Sequence, residues 1–342
     1  MSKNYYIIPI FVPQEGCPHK CVFCNQDRIT GLDETVTNET VRSTIEDYIK
    51  TINKSNATLE VSFFGGTFTG IEERKQKEFL KIAKEYKDKK IIDKIRLSTR
   101  PDYINEYILD YLKEYTVDII ELGVQSLDEE VLKKAGRGHT TEDVAKASQL
   151  VHEYGITLGH QIMPGLPGDT FEKDLKTAQR SIDMKPDICR IYPSLVIKDT
   201  PMEVMYRRKT YIPYTLDEAV EISRKMYDMY TARGINVIRI GLQPTDAIAE
   251  GRDVIAGPFH PAMRELVIGS LIAEKIIEKC SDAEEITINI NPKDISKLYA
   301  DKKNYFKTIK SYIKKINVIQ NNDISRDKII IELNKKKIEL VF

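Results

Sequence analysis

The sequence predicts an α/β protein, an open six-stranded (βα)6 partial TIM barrel followed by a small C-terminal α+β module. Three observations predict it. Apolar, β-branched runs alternate with helical patterns six times up to residue 233, the order that gives a parallel sheet with helices over its faces. Three of the five cysteines fall within eight residues, just after the first run. From residue 285 the pattern changes to one strand, two helices and three strands.

The strand-like runs are residues 6–11, 59–64, 95–99, 119–124, 157–163 and 188–192. Between and after them lie helical patterns at 39–52, 72–86, 104–115, 141–154, 171–184 and 216–233. Thr141 with Glu142 and Asp143 marks a helix start, and Met163-Pro164-Gly165-Leu166-Pro167-Gly168 marks a join. Six βα units are too few to close an eight-stranded barrel. An open barrel is the economical reading, and a doubly wound sheet is an alternative that periodicity does not separate from it.

A further strand follows at 236–240, then an irregular stretch to Gly257. A helix is expected to open at Pro261 and run to Lys279, since proline's fixed φ and missing N–H suit a first helical position. The module then reads as strand 285–290, helices 292–299 and 304–315, and strands 316–320, 328–333 and 337–342. The last two form a hairpin across 334–336. The expected divisions are 1–240 for the barrel, 241–282 for a capping segment and helix, and 283–342 for the module.

The chain has 342 residues, 41% hydrophobic and 30% charged, enough to bury a large core. It has no apolar run of the ~18–20 residues that a spanning helix needs. Residues 1–10 lack the basic start and cleavage site of a signal peptide. A cytoplasmic protein with no membrane partner is expected. The net charge is zero, yet residues 291–342 carry 13 Lys and Arg against 6 Asp and Glu. That asymmetry suits a nucleic-acid-binding tail, or simply a solvated lysine-rich surface.

Cys17, Cys21 and Cys24 have the spacing Cys-x3-Cys-x2-Cys in a loop. In a reducing compartment such crowding points to metal rather than disulfides. Thiolates are soft, anionic ligands suited to iron–sulfur clusters. Three from one loop can grip three corners of a 4Fe–4S cube and leave one iron open for S-adenosylmethionine (SAM) to chelate. A structural zinc site wants four ligands, and His19 lies too close to Cys21 in sequence to complete one easily. Cys189 and Cys280 read as packed thiols.

With this motif the chain resembles the radical SAM superfamily. The strings Phe63-Phe64-Gly65-Gly66-Thr67-Phe68, Ser98-Thr99-Arg100-Pro101-Asp102, Glu121-Leu122-Gly123-Val124-Gln125-Ser126, Arg137-Gly138-His139-Thr140, His160-Gln161-Ile162-Met163 and Arg190-Ile191-Tyr192-Pro193 follow in order. Over residues 5–240 they resemble the radical SAM domain of the Elongator catalytic subunit family, enzymes that modify wobble uridine in tRNA. A more distant likeness runs to oxygen-independent coproporphyrinogen oxidases. About 100 residues follow Ile240, with no Gly-x-Gly acetyl-CoA loop opening a helix. The acetyltransferase half of that family is therefore not expected here.

The resemblance implies a 4Fe–4S cluster on Cys17, Cys21 and Cys24, reductive cleavage of SAM to a 5′-deoxyadenosyl radical, and a reductant such as flavodoxin or ferredoxin. Each named string ends a strand, and in a parallel barrel that end carries the active site. Gly65, Gly66 and Thr67 are expected to offer backbone to the SAM amino group. Arg137 is expected to pair its carboxylate. Gln125 and Gln161 are expected near the ribose, and Ser98 and Arg100 near ribose or methionine. Tyr192 and Lys198 could face substrate, while His139 and His160 read as structural and His260 as a cap or a substrate contact.

The module's strand-helix-helix-strand-strand order is that of a KH-type RNA-binding fold, although the loop Ala300-Asp301-Lys302-Lys303 lacks the Gly-x-x-Gly clamp. Lys302, Lys303 and Lys307 could still meet phosphates, or the module could simply cap the barrel. The leading expectation is a radical SAM enzyme acting on RNA, tRNA foremost. The alternatives are radical chemistry on a small molecule or porphyrin, and a non-catalytic RNA-binding iron–sulfur protein.

Overall fold

The computed structural model describes residues 5–12, 15–25, 36–52, 57–244, 248–249, 251–334 and 336–342. A parallel sheet forms the body, with strands β1 (Tyr5–Val12), β2 (Thr58–Gly65), β3 (Lys94–Thr99), β4 (Ile119–Gln125), β5 (Thr157–Ile162), β6 (Ile188–Ile191) and β8 (Asn236–Ile240) side by side in that order. This is the curled partial barrel the alternation predicted, with a seventh strand: 236–240 pairs parallel with β6 and extends the same sheet.

Helices α1 (Asn38–Thr51), α2 (Glu73–Asp88), α3 (Glu106–Glu114), α4 (Glu129–Lys134), α5 (Thr141–Glu153), α6 (Phe171–Asp183), α7 (Pro201–Arg207) and α8 (Leu216–Thr231) come next in chain order. Their starts carry side-chain caps where the sequence offers them. Thr140 and Asp143 form a reciprocal capping box at α5, and Thr215 and Glu218 do the same at α8. The short helices α4 and α7 escaped the sequence reading, because six or seven residues give too little periodicity. Two short strands, β7 (Val196–Ile197) and β9 (Val254–Ala256), pair antiparallel within stretches read as loop.

The helix expected from Pro261 begins two residues later, as α9 (Met263–Cys280). Pro261 lies in a turn before it, where His260 Nδ1 accepts a hydrogen bond from the Ala262 N–H at 3.1 Å. The helix expected over 292–299 is broken into a 3-10 turn and one helical turn, α10 (Ile295–Leu298). Asp294 stands at the junction, and its buried carboxylate accepts bonds from Arg326 and from the Asp327 N–H.

The module completes with β10 (Glu285–Ile290), α11 (Asn304–Tyr312), β11 (Lys315–Gln320), β12 (Lys328–Leu333) and β13 (Lys336–Val341). The sheet order is β11-β10-β12-β13, with β10 and β11 parallel and the other pairs antiparallel. The hairpin forms as expected, with Leu333 opposite Lys336, while Lys335 lies outside the described residues.

The module is not free-standing. Ile286, Ile288, Phe306 and Ile309 join the same hydrophobic core as α9 and the barrel. At Gly269 of α9 a Cβ would come within 2.7 Å of the Ala300 side chain, so glycine there lets the module close on the helix.

Candidate active site at the mouth of the barrel

The strands sort their side chains by face. In β1, Ile8, Ile10 and Val12 are buried toward the helices, while Ile7, Pro9 and Phe11, pointing the other way, are half-exposed. Ser98, Gly123, Gln161 and Arg239 are likewise partly open beside buried Leu97, Leu122, Ile162 and Ile240. The inner face is therefore an open, concave lumen.

Ion pairs make its floor. Arg96 of β3 meets Glu60 of β2 at 2.6 Å and Glu121 of β4 at 2.5 Å, and Arg190 of β6 meets Glu121 at 2.8 Å. The hydroxyls of Tyr5 and Ser62 donate to Glu60, and Ser98 donates to Glu121 at 3.3 Å. All four charged groups are buried, which is tolerable only because they are paired. Burial pushes the Glu121 carboxyl up, but Arg190 and Arg96 outweigh it and hold it below its usual value. The sequence reading singled out none of these four for this role. The signal was present: Leu59-Glu60-Val61, Ile95-Arg96-Leu97, Ile120-Glu121-Leu122 and Cys189-Arg190-Ile191 each set one charge inside an apolar strand.

The cysteine loop sits over this lumen. Its Val22 is held on both sides, the N–H donating to the Ala135 carbonyl at 3.0 Å and the carbonyl accepting from the Met202 N–H at 2.9 Å. Cys21 and Phe23 pack with Val131, Leu166, Val196, Met202 and Tyr211 in a small core. Arg137, placed by the turn that ends α4, donates through Nη1 to Cys21 Sγ at 3.3 Å and through Nη2 to the Gly123 carbonyl at 2.6 Å. Thr67 Oγ1 lies 3.2 Å from Cys17 Sγ.

The glycines of β2 serve the loop first. A Cβ on Gly65, whose φ is +109°, would lie 2.5 Å from the Val12 carbonyl oxygen, and one on Gly66 would strike Glu15. The Gly66 N–H donates to the Val12 carbonyl and the Thr67 N–H to that of Glu15. The Thr67 carbonyl accepts from the Gly70 N–H at 2.9 Å.

The other predicted residues divide. Gln125 is buried at a φ of +67° and its Oε1 has no hydrogen-bond partner among the described residues. Such an orphaned acceptor at a strained position suits a ligand contact. Gln161 faces the lumen and is half-exposed. Arg100, by contrast, is committed to Asp102 by two bonds of 2.9 and 2.8 Å, and Ser98 to Glu121. Tyr192 accepts from Arg190 Nη1 at 3.2 Å, and Lys198 is exposed.

His160 lies between Ser148 and Ser181 at 3.0 and 2.8 Å, facing the helices. Its burial lowers its pKa to about 3, so it is a neutral structural group. His139 is also neutral, lowered to about 3 by burial and then by Arg137 and Arg100, and it contacts the Val124 carbonyl. Cys189 and Cys280 are buried thiols, as expected.

The loop after β5 is held by Tyr211, whose hydroxyl donates to the Gly165 carbonyl at 2.6 Å, and by Asp174, which accepts from the Gly165 N–H and the Tyr214 hydroxyl. Asp174 and Asp169 form a buried pair. Burial raises both carboxyls; the charge of Asp169 then raises Asp174 further, while a hydrogen bond from Asp174 holds Asp169 down, so that the pair keeps a proton.

The three loop cysteines differ in depth, Cys17 exposed, Cys24 half-buried and Cys21 buried. Among the described residues no three His, Cys, Asp or Glu side chains converge as a metal-holding group. The donor set fits a 4Fe–4S cluster: three soft thiols in one loop, a guanidinium on one sulfur, and beside them an Arg137 Nε with no partner among the described residues.

Comparison with known proteins agrees. The radical SAM superfamily profile matches residues 11–180, and the profile of the radical SAM C-terminal domain matches 186–273. The chain is 30% identical over 259 residues to a tRNA uridine(34) acetyltransferase of Methanocaldococcus infernus, covering 63% of this chain and 48% of that protein. It is 32% identical over 235 residues to an uncharacterised protein of Methanocaldococcus jannaschii, covering 65% of this chain and 70% of the relative. Elongator complex protein 3 of Homo sapiens is 23% identical over 65% of this chain and 48% of its own length. The solved structure of the archaeal Methanocaldococcus infernus Elp3 with an N-terminal deletion superposes with a TM-score of 0.59 at 26% identity, covering 81% of this chain and 63% of that one. The chain thus spans about half the length of the acetyltransferase and Elongator relatives it matches. No helix among the described residues is long and apolar enough to cross a membrane.

Proposed function

This chain belongs to the radical SAM superfamily and is an enzyme of that class, and from that premise we propose that it cleaves SAM with a cluster held by Cys17, Cys21 and Cys24 and directs the radical at an RNA, tRNA foremost. The observation that carries this is the seating of the cysteine loop, pinned at Val22 and touched at Cys21 by Arg137, over an open lumen. When bound, such a cluster supplies the electron that breaks a sulfonium carbon–sulfur bond of SAM and frees a 5′-deoxyadenosyl radical.

The chain's own groups do the positioning. Arg137 keeps Nε for the SAM carboxylate, Gln125 offers Oε1 to a hydroxyl, and Gly66 and Gln161 line the way across the strand ends. A low-potential donor such as flavodoxin or ferredoxin would supply the electron. The tRNA reading draws on the relatives' tRNA uridine(34) activity. Exposed Arg208 and Lys209 beyond α7 support it, since α7 is bonded to the cysteine loop and basic side chains there would meet phosphates.

One observation favours a small-molecule substrate instead. Several of the module's lysines are engaged at home: Lys297 with Asp294, Lys314 with Glu284, Lys315 with Glu285 and Lys328 with Glu339. Truncating the module would open the shared core, so it is not a clean test. Anaerobic reconstitution followed by SAM, dithionite and total RNA is. The proposal expects 5′-deoxyadenosine and a new modified nucleoside by mass spectrometry, both lost at least ~100-fold in Cys21→Ala. Bound zinc, or iron whose spectrum ignores SAM, overturns the cluster assignment. Deoxyadenosine without nucleoside change moves the substrate to a small molecule.

A further inference from the structure

We propose that Arg190 and Arg239 form a seat in the lumen for an organic carboxylate, carried by a small co-substrate. The seat deepens the reading above, and rests on it only for the radical that the carboxylate's bearer would meet.

Arg190 is the first half. Its Nε donates to Glu121 at 2.8 Å and its Nη1 to the Tyr192 hydroxyl at 3.2 Å, while Nη2 is buried with no acceptor among the described residues. The residue is only 7% exposed. A buried guanidinium nitrogen without an acceptor is unfavourable as it stands, and a ligand oxygen relieves it.

Arg239 is the second half. It stands directly opposite Arg190 in the β6–β8 register, where a register shift lets both arginines take the inner face. It is half-exposed to the lumen and makes no hydrogen bond or ion pair among the described residues. Burial holds its pKa below the ordinary arginine value, with Arg190 and Arg264 adding to the fall and Tyr192 and Glu121 only partly offsetting it.

The charge balance points the same way. The lumen holds the guanidiniums of Arg96, Arg190 and Arg239 against the carboxylates of Glu60 and Glu121 among the described residues. One positive charge is left over, and a single anion balances it.

Shape selects a carboxylate over a phosphodiester. The Arg190 guanidinium lies over the Phe64 ring at 5.4 Å, and Phe11 packs on Phe64 at 6.0 Å, so one wall of the seat is apolar. A phosphodiester continues as chain on both sides and would have to thread the lumen. A carboxylate ends its molecule, is planar, carries one charge and fits guanidinium donors two at a time.

The test is calorimetric titration of the anaerobically reconstituted full chain with sodium acetate and, separately, inorganic phosphate, at constant chloride. Acetate is expected to bind, about tenfold more weakly in Arg239→Gln. Arg190→Lys keeps a charge for Glu121 but removes Nη2, and the same direction of change is expected; it reports even if Arg239→Gln folds poorly. No heat with acetate, or heat with phosphate alone, overturns the proposal. So does a parallel loss of SAM affinity in both variants, which would give the seat to the carboxylate of SAM itself. The change SAM causes in the cluster spectrum is read in the same samples, so the cluster assignment and the carboxylate seat can fail separately.

Discussion

The lumen and the C-terminal module are both rich in basic side chains and use them in opposite ways. In the lumen, buried arginines share two carboxylates and keep donors to spare. In the module, exposed lysines sit next to acids on neighbouring strands, as Lys315 does beside Glu285 and Lys337 beside Glu332. Water already satisfies an exposed ammonium, so its pairing carries little energy and little information. A buried guanidinium has no such refuge, and its unmet donors mark where a ligand belongs. Density of charge along the sequence is therefore a poorer guide to a binding site than depth.

The sharpest way to break this contrast is Glu121→Gln. It leaves Arg96 and Arg190 short of a counter-charge inside the barrel, and a loss of about 3–5 kcal/mol in unfolding free energy is expected by urea titration. A loss under about 1 kcal/mol would mean that the floor is wet and that the comparison fails. Next in size is Arg137→Lys. It cannot hold Cys21 and the Gly123 carbonyl with one planar group, and SAM affinity, read from the cluster spectrum, is expected to weaken about tenfold.

The acidic pair at Asp169 and Asp174 extends the contrast to pH. Both carboxyls are raised in the folded chain, so the unfolded chain releases protons from an ordinary value of 3.8 upward while the folded chain keeps them. Their contribution is whole below that value and declines as pH rises through Asp169's folded value of about 6. Asp169→Asn is expected to flatten this decline in thermal melts from pH 4 to 7; an unchanged slope would remove the pair from the account. Smallest of all, Lys337→Gln on the module's surface is expected to leave the unfolding midpoint within measurement error.

The barrel strands could be read because each is a short apolar run, and their observed bounds differ from expectation by a residue or two. The family could be read from Cys17, Cys21 and Cys24 because their spacing is local. The floor could not be found that way, since Glu60, Arg96, Glu121 and Arg190 become neighbours only through the register of five strands, β2 to β6. Arg100 misled for the same reason: its position at a strand end suggested a ligand, but Asp102, two residues on, occupies its fork. The glycines at 65 and 66 were read for a ligand, whereas the constraint on them that the structure displays is the backbone of Val12 and Glu15.

The peptide of Val22 is a crossbar between α4 and α7. A strain applied to the outer surface of α7, where Val204 and Tyr206 stand in solvent, bears on the same short bar that carries Cys21 and Cys24 on either side. The cysteine loop is thus mechanically tied to the outside of the protein, and rigidity at α7 is part of what keeps Cys21 and Cys24 in place.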